Sequence, residues 1–145
     1  VKTSGSRAFV QGSGFAQKLS VPQFRAACKN GGKLNGLMNL YVHALLTQIS
    51  QSAVCNGFHP IEARLARWLL MTHDRMQADE FQITQSFLSK MVGVRREAVN
   101  KAVGALQNRE LIAYRRGNLT VKDRKGLENA SCDCYALIKK EGERY

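Results

Sequence analysis

The clearest pattern of apolar and polar positions along the chain lies between residues 83 and 106. Apolar residues recur there every three or four positions, which is the spacing of one helical face. Gly93 interrupts the pattern, and a glycine with positive φ ends a helix at little cost. The pattern therefore predicts two short helices joined by a tight turn. The predicted apolar faces consist of Phe87, Leu88 and Met91 in the first helix and Val99, Ala102, Val103 and Leu106 in the second.

The polar positions of the second predicted helix are mostly charged. Arg95, Arg96 and Glu97 fall in its first turn, and Asn100 and Lys101 follow. A helix with one apolar face and one charged face can pack on a domain through the first and contact base edges in a major groove through the second. The pattern therefore indicates a DNA-binding helix-turn-helix. The alternative is a packing motif that does not contact DNA.

Residues 33–58 contain no proline and many apolar positions, which predicts one long helix. At 1.5 Å per residue it would span about 37 Å. Its apolar positions cover more than one face, and one stripe has the spacing of a two-stranded coiled coil. The alternative is an ordinary amphipathic helix packed within one subunit. The stripe consists of Met38, Tyr41, Leu45, Gln48, Ser52 and Cys55.

Two further elements are predicted around the helix-turn-helix. Residues 60–76 form a helix that begins at Pro60, with its apolar face around Trp68; three arginines (64, 67 and 75) are expected to lie away from that face. Residues 111–123 alternate around Gly117-Asn118, which predicts a two-stranded hairpin with Arg116 near its tip. Such a hairpin is either a basic wing that contacts phosphate or a hairpin that only caps the domain.

The two ends of the chain have weaker patterns. Residues 8–10 and 15–19 are short β-like runs, and a short helix over 23–29 follows them. Two strands and a helical turn cannot bury a core, so we expect a larger sheet before residue 1. Residues 124–135 are predicted to form a short final helix with Leu127 inward. The last seven residues are predicted to be a charged tail without a core face.

Charge adds to the prediction of a DNA-binding segment. The formal net charge is +11, which favours contact with a polyanion. Between residues 84 and 124 there are nine Lys or Arg against three acidic residues, so the excess lies on the segment that holds the helix-turn-helix. No run of about 18 apolar residues is present, so no membrane span is expected.

The segments VGVRREAVNKAVGAL, LIAYRRG and DRKGLENASCDCY resemble the DNA-binding half of Crp/Fnr-type transcription regulators. The resemblance covers nearly the whole chain and is most specific from Ile61 to Tyr135. It implies a mainly α fold with a small β component. Residues 1–32 would be the remnant of a β-roll sensor domain like those that bind cyclic nucleotides. Residues 33–58 would be a dimerisation helix, and residues 59–145 a winged helix-turn-helix domain.

The function implied by the resemblance is sequence-specific transcription regulation in the cytoplasm. The chain would bind double-stranded DNA at an inverted-repeat operator as a homodimer, with RNA polymerase as a further partner. The effector of the sensor domain is not identified. Two alternatives differ in class: an effector-sensing or protein-interaction module without sequence-specific DNA binding, and an enzyme that uses Cys132 or Cys134.

The resemblance also assigns roles to residues. Arg96 would contact a guanine through two hydrogen bonds, Glu97 would accept from a cytosine amino group, and Lys101 would reach a second guanine without the planar fork of an arginine. Arg95 and Asn100 are additional DNA candidates, and Arg95 replaces a hydroxyl residue common in the family. The candidates for phosphate contact are Thr84, Gln85, Ser86 and Arg116.

We expect no cofactor, no metal and no catalytic activity. The Ser6-Arg7 pair has the reverse of the order found in nucleotide-binding members. Cys132-x-Cys134 would need two more ligands at plausible spacing for zinc; His59 and His73 are present, but they do not form a second pair. These thiols are expected to pack the last helix, with a redox switch as the alternative. No glycine-rich phosphate loop, HExxH motif or nucleophile elbow is present.

Overall fold

The computed structural model describes residues 9–10, 12, 14–29 and 32–143. In these ranges the fold is mainly α with a small three-stranded sheet, as predicted. None of the described helices is long and apolar enough to cross a membrane. In chain order the elements are α1 (Val21–Cys28), α2 (Lys33–Phe58), α3 (Ile61–Met76), β1 (Glu80–Gln82), α4 (Gln85–Val92), α5 (Arg96–Asn108), β2 (Ile112–Arg115), β3 (Asn118–Val121), α6 (Arg124–Ala130) and α7 (Cys134–Gly142).

The segment before α2 differs from the prediction. Residues 15–19, predicted to be a strand, lie outside any described strand, and the Phe15 side chain is fully exposed. A strand without a neighbouring strand has no ladder of hydrogen bonds to stabilise it. The short helix that follows begins at Val21, because Ser20 and Gln23 form a capping box at its start. Phe9 and Val10 of the first predicted strand lie in no described strand, and Ala8 and the Ser6-Arg7 pair lie outside the described residues.

The long helix α2 covers residues 33–58, as predicted. Its last turns lie beside α3 and α7, since Arg67 of α3 donates to Ser52 Oγ at 3.3 Å and Gln51 donates to Cys134 Sγ at 3.1 Å. The C-terminal half of α2 is therefore packed on the domain that follows it.

The core of that domain lies between α3, α4, α5, α6 and the sheet. Its fully buried side chains include Leu65, Leu88, Leu106, Leu119 and Leu127, so every one of these elements contributes to it. The burial of Leu127 is as predicted.

The prediction for the α3 arginines was wrong for two of the three. Arg64 and Arg67 were expected to lie away from the apolar face, yet both are only 7% exposed. Arg64 donates to Asn56 O at the end of α2 and to Val92 O at the end of α4, which shows that both helices adjoin this face of α3. The buried surface of α3 is therefore wider than its apolar stripe.

The sheet has the strand order β1-β3-β2 and is antiparallel throughout. Leu119 in the central strand pairs with Phe81 on one side and with Tyr114 on the other. The hairpin turn is Arg116-Gly117, with φ values of 49° and 86°, and not Gly117-Asn118 as predicted. Asn118 is instead paired with Arg115, and two positive φ values are typical of a tight turn that follows the twist of its strands.

The C-terminal region contains two helices instead of the one predicted. The helix that starts at Arg124 ends at Ala130, and after a break at residues 131–133 α7 begins at Cys134. Residues predicted to be a tail belong to α7, which buries Tyr135 and Ile138. These two residues are three positions apart, so α7 has a short apolar face of its own.

Candidate nucleic-acid interface

The turn between α4 and α5 has the geometry predicted for it. Thr84 caps α4, because its Oγ accepts a hydrogen bond from the Phe87 amide at 3.2 Å. Gly93 ends α4 with a φ of 70°, and the amides of Gly93 and Val94 both donate to Ser89 O, at 2.9 and 3.0 Å. The glycine is required there because an L side chain rarely adopts this φ.

The buried face of α4 differs slightly from the prediction. Leu88 is fully buried and Phe87 is partly buried against Trp68, with the two aromatic rings edge to face at 6.4 Å. Met91, expected on this face, is 37% exposed, and Val92 is buried instead at 4% exposure. Because α4 ends at Gly93, its last residue turns toward α3, where Arg64 contacts the Val92 carbonyl.

Helix α5 has one apolar face and one polar face. The four residues predicted for the apolar face are at most 2% exposed. The polar face also includes Gly104, and a Cβ atom added at this position would have no neighbouring atom within 4 Å, so the space in front of it is open. The five predicted DNA-contacting residues are all exposed beside or along this polar face: Arg95, Arg96, Glu97, Asn100 and Lys101.

The charges on this polar face are not neutralised within the described part of the chain. In residues 32–143 the ion pairs join His43 to Glu141, His73 to Asp79, Arg124 to Asp74 and Glu128, and Lys139 to Glu143. None of these pairs includes a residue of the α5 polar face. Its cations and Glu97 therefore remain available to an external partner.

The hairpin turn lies beside the start of α4. The Ile83 amide donates to Gly117 O at 2.7 Å, and the Tyr114 hydroxyl donates to Ile83 O at 3.0 Å. Thr84 follows Ile83 in the sequence and Arg116 precedes Gly117, so the Ile83–Gly117 hydrogen bond brings them close together. Both residues line a groove of about 470 Å³. The structure thus brings together two of the four residues predicted to contact phosphate.

Gln85 and Ser86, the other two phosphate candidates, lie in the first turn of α4. Ser86 is exposed and Gln85 is half-buried. The first turn of a helix has free amide groups that favour an anion. All four candidates are therefore grouped around the start of α4 and the hairpin turn.

Arg64 and Tyr114 are the residues that the sequence prediction missed. Arg64 joins α3 to the turn through Val92 O, and Tyr114 joins the hairpin to the same motif through Ile83 O. The signal for Arg64 is weak: it precedes Leu65 and lies one helical turn before Trp68, at the border of the apolar face. An arginine at such a border is equally common on a solvated surface.

We expect Arg64→Met to lower the free energy of unfolding by about 1.5–3 kcal/mol, because hydrogen bonds to a charged donor are lost while the apolar stem is kept. Urea unfolding of the chain measures this change. Arg109→Met, which removes an exposed arginine after α5, is the matched control. A decrease no larger than that of the control would contradict the role given to Arg64.

The predicted dimer stripe on α2 is only partly free. Gln48 accepts from Arg75 Nη2 at 2.8 Å and Ser52 accepts from Arg67, so both contact α3 of the same chain. Cys55, also predicted for this stripe, is fully buried against Cys132 of its own chain, so its assignment to the seam was wrong. Met38 is half-buried, whereas Tyr41 and Leu45 are 59% and 38% exposed. Another apolar stripe is more exposed: Val42, Leu46 and Ile49, at 50–58%. We call these three residues the outer stripe of α2.

The last helices are joined to α3 by a polar network around Arg124. Arg124 donates to Asp74 at 2.7 Å and to the Tyr135 hydroxyl at 2.8 Å, and Tyr135 donates to Asp74 at 2.9 Å. His73 accepts from Arg124 through Nδ1 at 2.6 Å, so its Nε2 carries the proton that it shares with Asp79. Burial and the hydrogen bond to Asp74 raise the pKa of Tyr135 to about 12. The charge of Arg124 is therefore paired within the network, with Asp74 and Glu128.

Three cysteines and one histidine also meet in the structure. The ligating atoms of Cys55, His59, Cys132 and Cys134 all lie within 4.8 Å of one another, and the cysteines are free thiols. Burial, followed by the hydrogen bonds that Cys132 shares with Cys55 and Cys134, raises the pKa of Cys132 to about 12. The expectation that no second pair of ligands lies near Cys132-x-Cys134 was wrong.

Residues 63–130 match the family model of the Crp-like helix-turn-helix domain. The fold is similar to that of a protein from Eubacterium rectale described as a transcriptional regulator of the Crp/Fnr family, at 19% identity and a TM-score of 0.58, covering 75% of this chain and 50% of that one.

The Thermus thermophilus catabolite activator protein is similar at 19% identity and a TM-score of 0.47, covering 72% of this chain and 47% of that one. The chain thus spans about half the length of these two structures. No curated protein sequence matches it significantly.

Proposed function

We propose that the chain binds a specific DNA operator through α5, because residues 63–130 match the family model of the Crp-like helix-turn-helix domain. The observation that carries this proposal is the arrangement of α5: its apolar face is buried in the domain, and its charged face is exposed without internal ion pairs. Such a helix fits the major groove of B-DNA.

Three side chains of α5 are proposed to contact bases. Arg96 presents a planar fork that matches the two acceptors of guanine, and Glu97 is an acceptor that suits the amino group of cytosine. Lys101, one turn after Glu97, would contact a second guanine as a single flexible donor. Arg95 and Asn100 flank these residues and are proposed to add contacts to the same strand region.

Phosphate binding is proposed for the start of α4 and the hairpin turn. The hydroxyl of Thr84, the first amides of α4 and the guanidinium of Arg116 are neighbours, because the Ile83–Gly117 hydrogen bond joins the two segments. One phosphate group held by a cation and free amides would set the position of α5 in the groove. Gln85 and Ser86 would contact the adjoining backbone.

The chain is proposed to act as a homodimer through α2. The outer stripe has the alternating spacing of four and three residues typical of a two-stranded seam, and it faces neither α3 nor α7 of its own chain. Tyr41 and Leu45, which are exposed beside the outer stripe, would extend the seam. Gln48 and Ser52 would not take part in it, because they accept hydrogen bonds from α3 of their own chain. Two copies of α5 would then enter successive major grooves about 34 Å apart, at an inverted repeat.

The proposed function is tested by incubating the chain with random duplexes, sequencing the bound fraction and repeating the titration at two salt concentrations. We expect an enriched inverted repeat with G and C at fixed positions, and an affinity that falls steeply with salt because phosphate contacts release counterions. Salt-sensitive binding without enrichment would contradict sequence-specific recognition. Indifference to DNA would favour a protein-interaction module with an acidic partner.

Substitutions of Glu97 and Arg116 should have different effects. Glu97→Ala is expected to relax the preference for one base pair, since it removes an acceptor for one base. Arg116→Ala is expected to weaken binding to all sequences and to reduce the slope of log affinity against log salt by about 1. Titrations with the selected operator and with single-mismatch duplexes measure both effects. Equal losses on matched and mismatched duplexes for both variants would contradict this division of roles.

A further inference from the structure

A cluster of potential metal ligands lies where α2 adjoins the C-terminal helices. Cys55 and His59 belong to the last turn of α2 and its cap, one helical turn apart, so both can face the same side. Cys132 and Cys134 lie in the break before α7 and at its first residue. Cys55 and Cys132 are 77 positions apart in sequence, yet their sulfur atoms are 3.4 Å apart.

The distances match a tetrahedral site for one ion. Bonds of about 2.3 Å to sulfur and about 2.0–2.1 Å to nitrogen place the ligand atoms of a zinc site about 3.5–3.8 Å from one another. The Cys55–Cys132 sulfur pair is at 3.4 Å, and Cys134 Sγ is 3.4 Å from His59 Nδ1. Since every ligand atom lies within 4.8 Å of the others, shifts of about 1 Å or less would complete the tetrahedron.

We propose that Cys55, His59, Cys132 and Cys134 bind one zinc ion, in a closed site with three thiolates and one imidazole. Thiolate and imidazole ligands in tetrahedral arrangement select zinc over harder divalent ions. The three cysteines are buried and His59 would fill the fourth position, so no position is left for water. Binding releases the three thiol protons to solvent and forms three metal–sulfur bonds and one metal–nitrogen bond.

The surroundings of the cluster suit a site with negative thiolates. Gln51 Nε2 donates to Cys134 Sγ at 3.1 Å, which would orient the sulfur and reduce its charge. Ala63 packs against the cysteines from α3, and a side chain this small leaves room for the ligands.

The site would join two parts of the fold that are distant in sequence. One ligand pair belongs to the proposed dimer helix α2, and the other joins α6 to α7, which is connected to α3 through the Arg124–Asp74–Tyr135 network. Bound zinc would thus fix the domain that contains α4 and α5 against α2. This inference does not depend on DNA binding, because ion binding is measured without DNA.

The first test uses the full chain, purified under reducing conditions, with its zinc content measured by elemental analysis. We expect one zinc per chain. We also expect that the chain stripped of metal and titrated with cobalt(II) gains the absorption bands of a tetrahedral thiolate site, saturating at one equivalent. A stripped chain with unchanged folded structure and no such bands would overturn the proposal, as would an isolated chain that contains a Cys55–Cys132 disulfide and no metal.

The second test compares variants by competition with a chromogenic zinc chelator. Cys132→Ser and His59→Gln are expected to lower zinc affinity at least 100-fold, since each removes a ligand. Gln51→Ala is expected to lower it about tenfold, which is typical for the loss of a group that supports a ligand. Cys28→Ser is the matched control, because Cys28 is a free thiol of α1 outside the cluster. Equal affinity for all four variants would overturn the proposed ligand set.

Discussion

Arg96→Ala is expected to remove most of the sequence-specific binding of the chain. A two-pronged contact to guanine contributes about 1–3 kcal/mol of discrimination, and a symmetric dimer makes it twice. The expected loss for the intact inverted repeat is therefore about 2–6 kcal/mol, or between about 30-fold and about 20,000-fold in affinity. The folded structure should be unchanged, because Arg96 is exposed and forms no ion pair among the described residues.

Titration of the selected operator and of an unrelated duplex at one salt concentration measures this effect. The ratio of the two affinities should fall by about the same factor, and the preference that remains would come from Glu97 and Lys101. Arg109→Ala is the matched control, since it removes the same charge at the C-cap of α5, away from the first turn. A similar loss for both variants would mean that α5 contributes net charge and not base recognition.

Ile49→Arg is expected to prevent dimerisation and, through it, operator binding. Ile49 is the last residue of the outer stripe and is 55% exposed in the single chain. In a seam between two copies its replacement would place two arginines against each other without a partner, which is costly. Loss of the second half-site should lower operator affinity by about 10²–10⁴-fold, the usual gain from linking two binding modules.

Sedimentation of the chain at several concentrations measures the change in oligomeric state, and duplexes with one or two half-sites measure its consequence. Ser50→Arg is the matched control, because Ser50 is exposed and turned about 100° away from Ile49. A variant that remains dimeric would contradict the role of the outer stripe. A chain that is monomeric without any substitution would contradict the dimer itself.

The elements predicted well are those whose cause is local in sequence. The apolar spacing of Val99, Ala102, Val103 and Leu106 requires only one helix against one core, and all four are buried. The end of α4 follows from Gly93 alone, since its φ of 70° suits glycine. The exposure of the α5 charges follows from the same periodicity, so the helix-turn-helix and its polar face could be predicted together.

The features missed depend on contacts between distant segments. The helical periodicity of α3 does not predict that the ends of α2 and α4 cover Arg64. The sequence also does not predict that the helix breaks at residues 131–133, which lets α7 pack on α2. Cys132-x-Cys134 is a local signal for half of the Cys and His cluster, but the other half lies more than 70 residues earlier, and only the fold brings the two halves together. At residues 15–19 the opposite occurred: the local pattern predicted a strand, but no neighbouring strand is described that could pair with it and stabilise it.

The hydrogen bond between Ile83 and Gly117 has a consequence for the shape of DNA that the domain accepts. It joins the start of α4 to the tip of the hairpin and so opposes any movement of Thr84 away from Arg116. If both residues contact phosphate as proposed, a bound duplex would have to adapt to their separation, and the cost of that deformation would depend on the stiffness of each base-pair step. Base pairs that no side chain touches would then influence affinity, through the width of the groove that they favour.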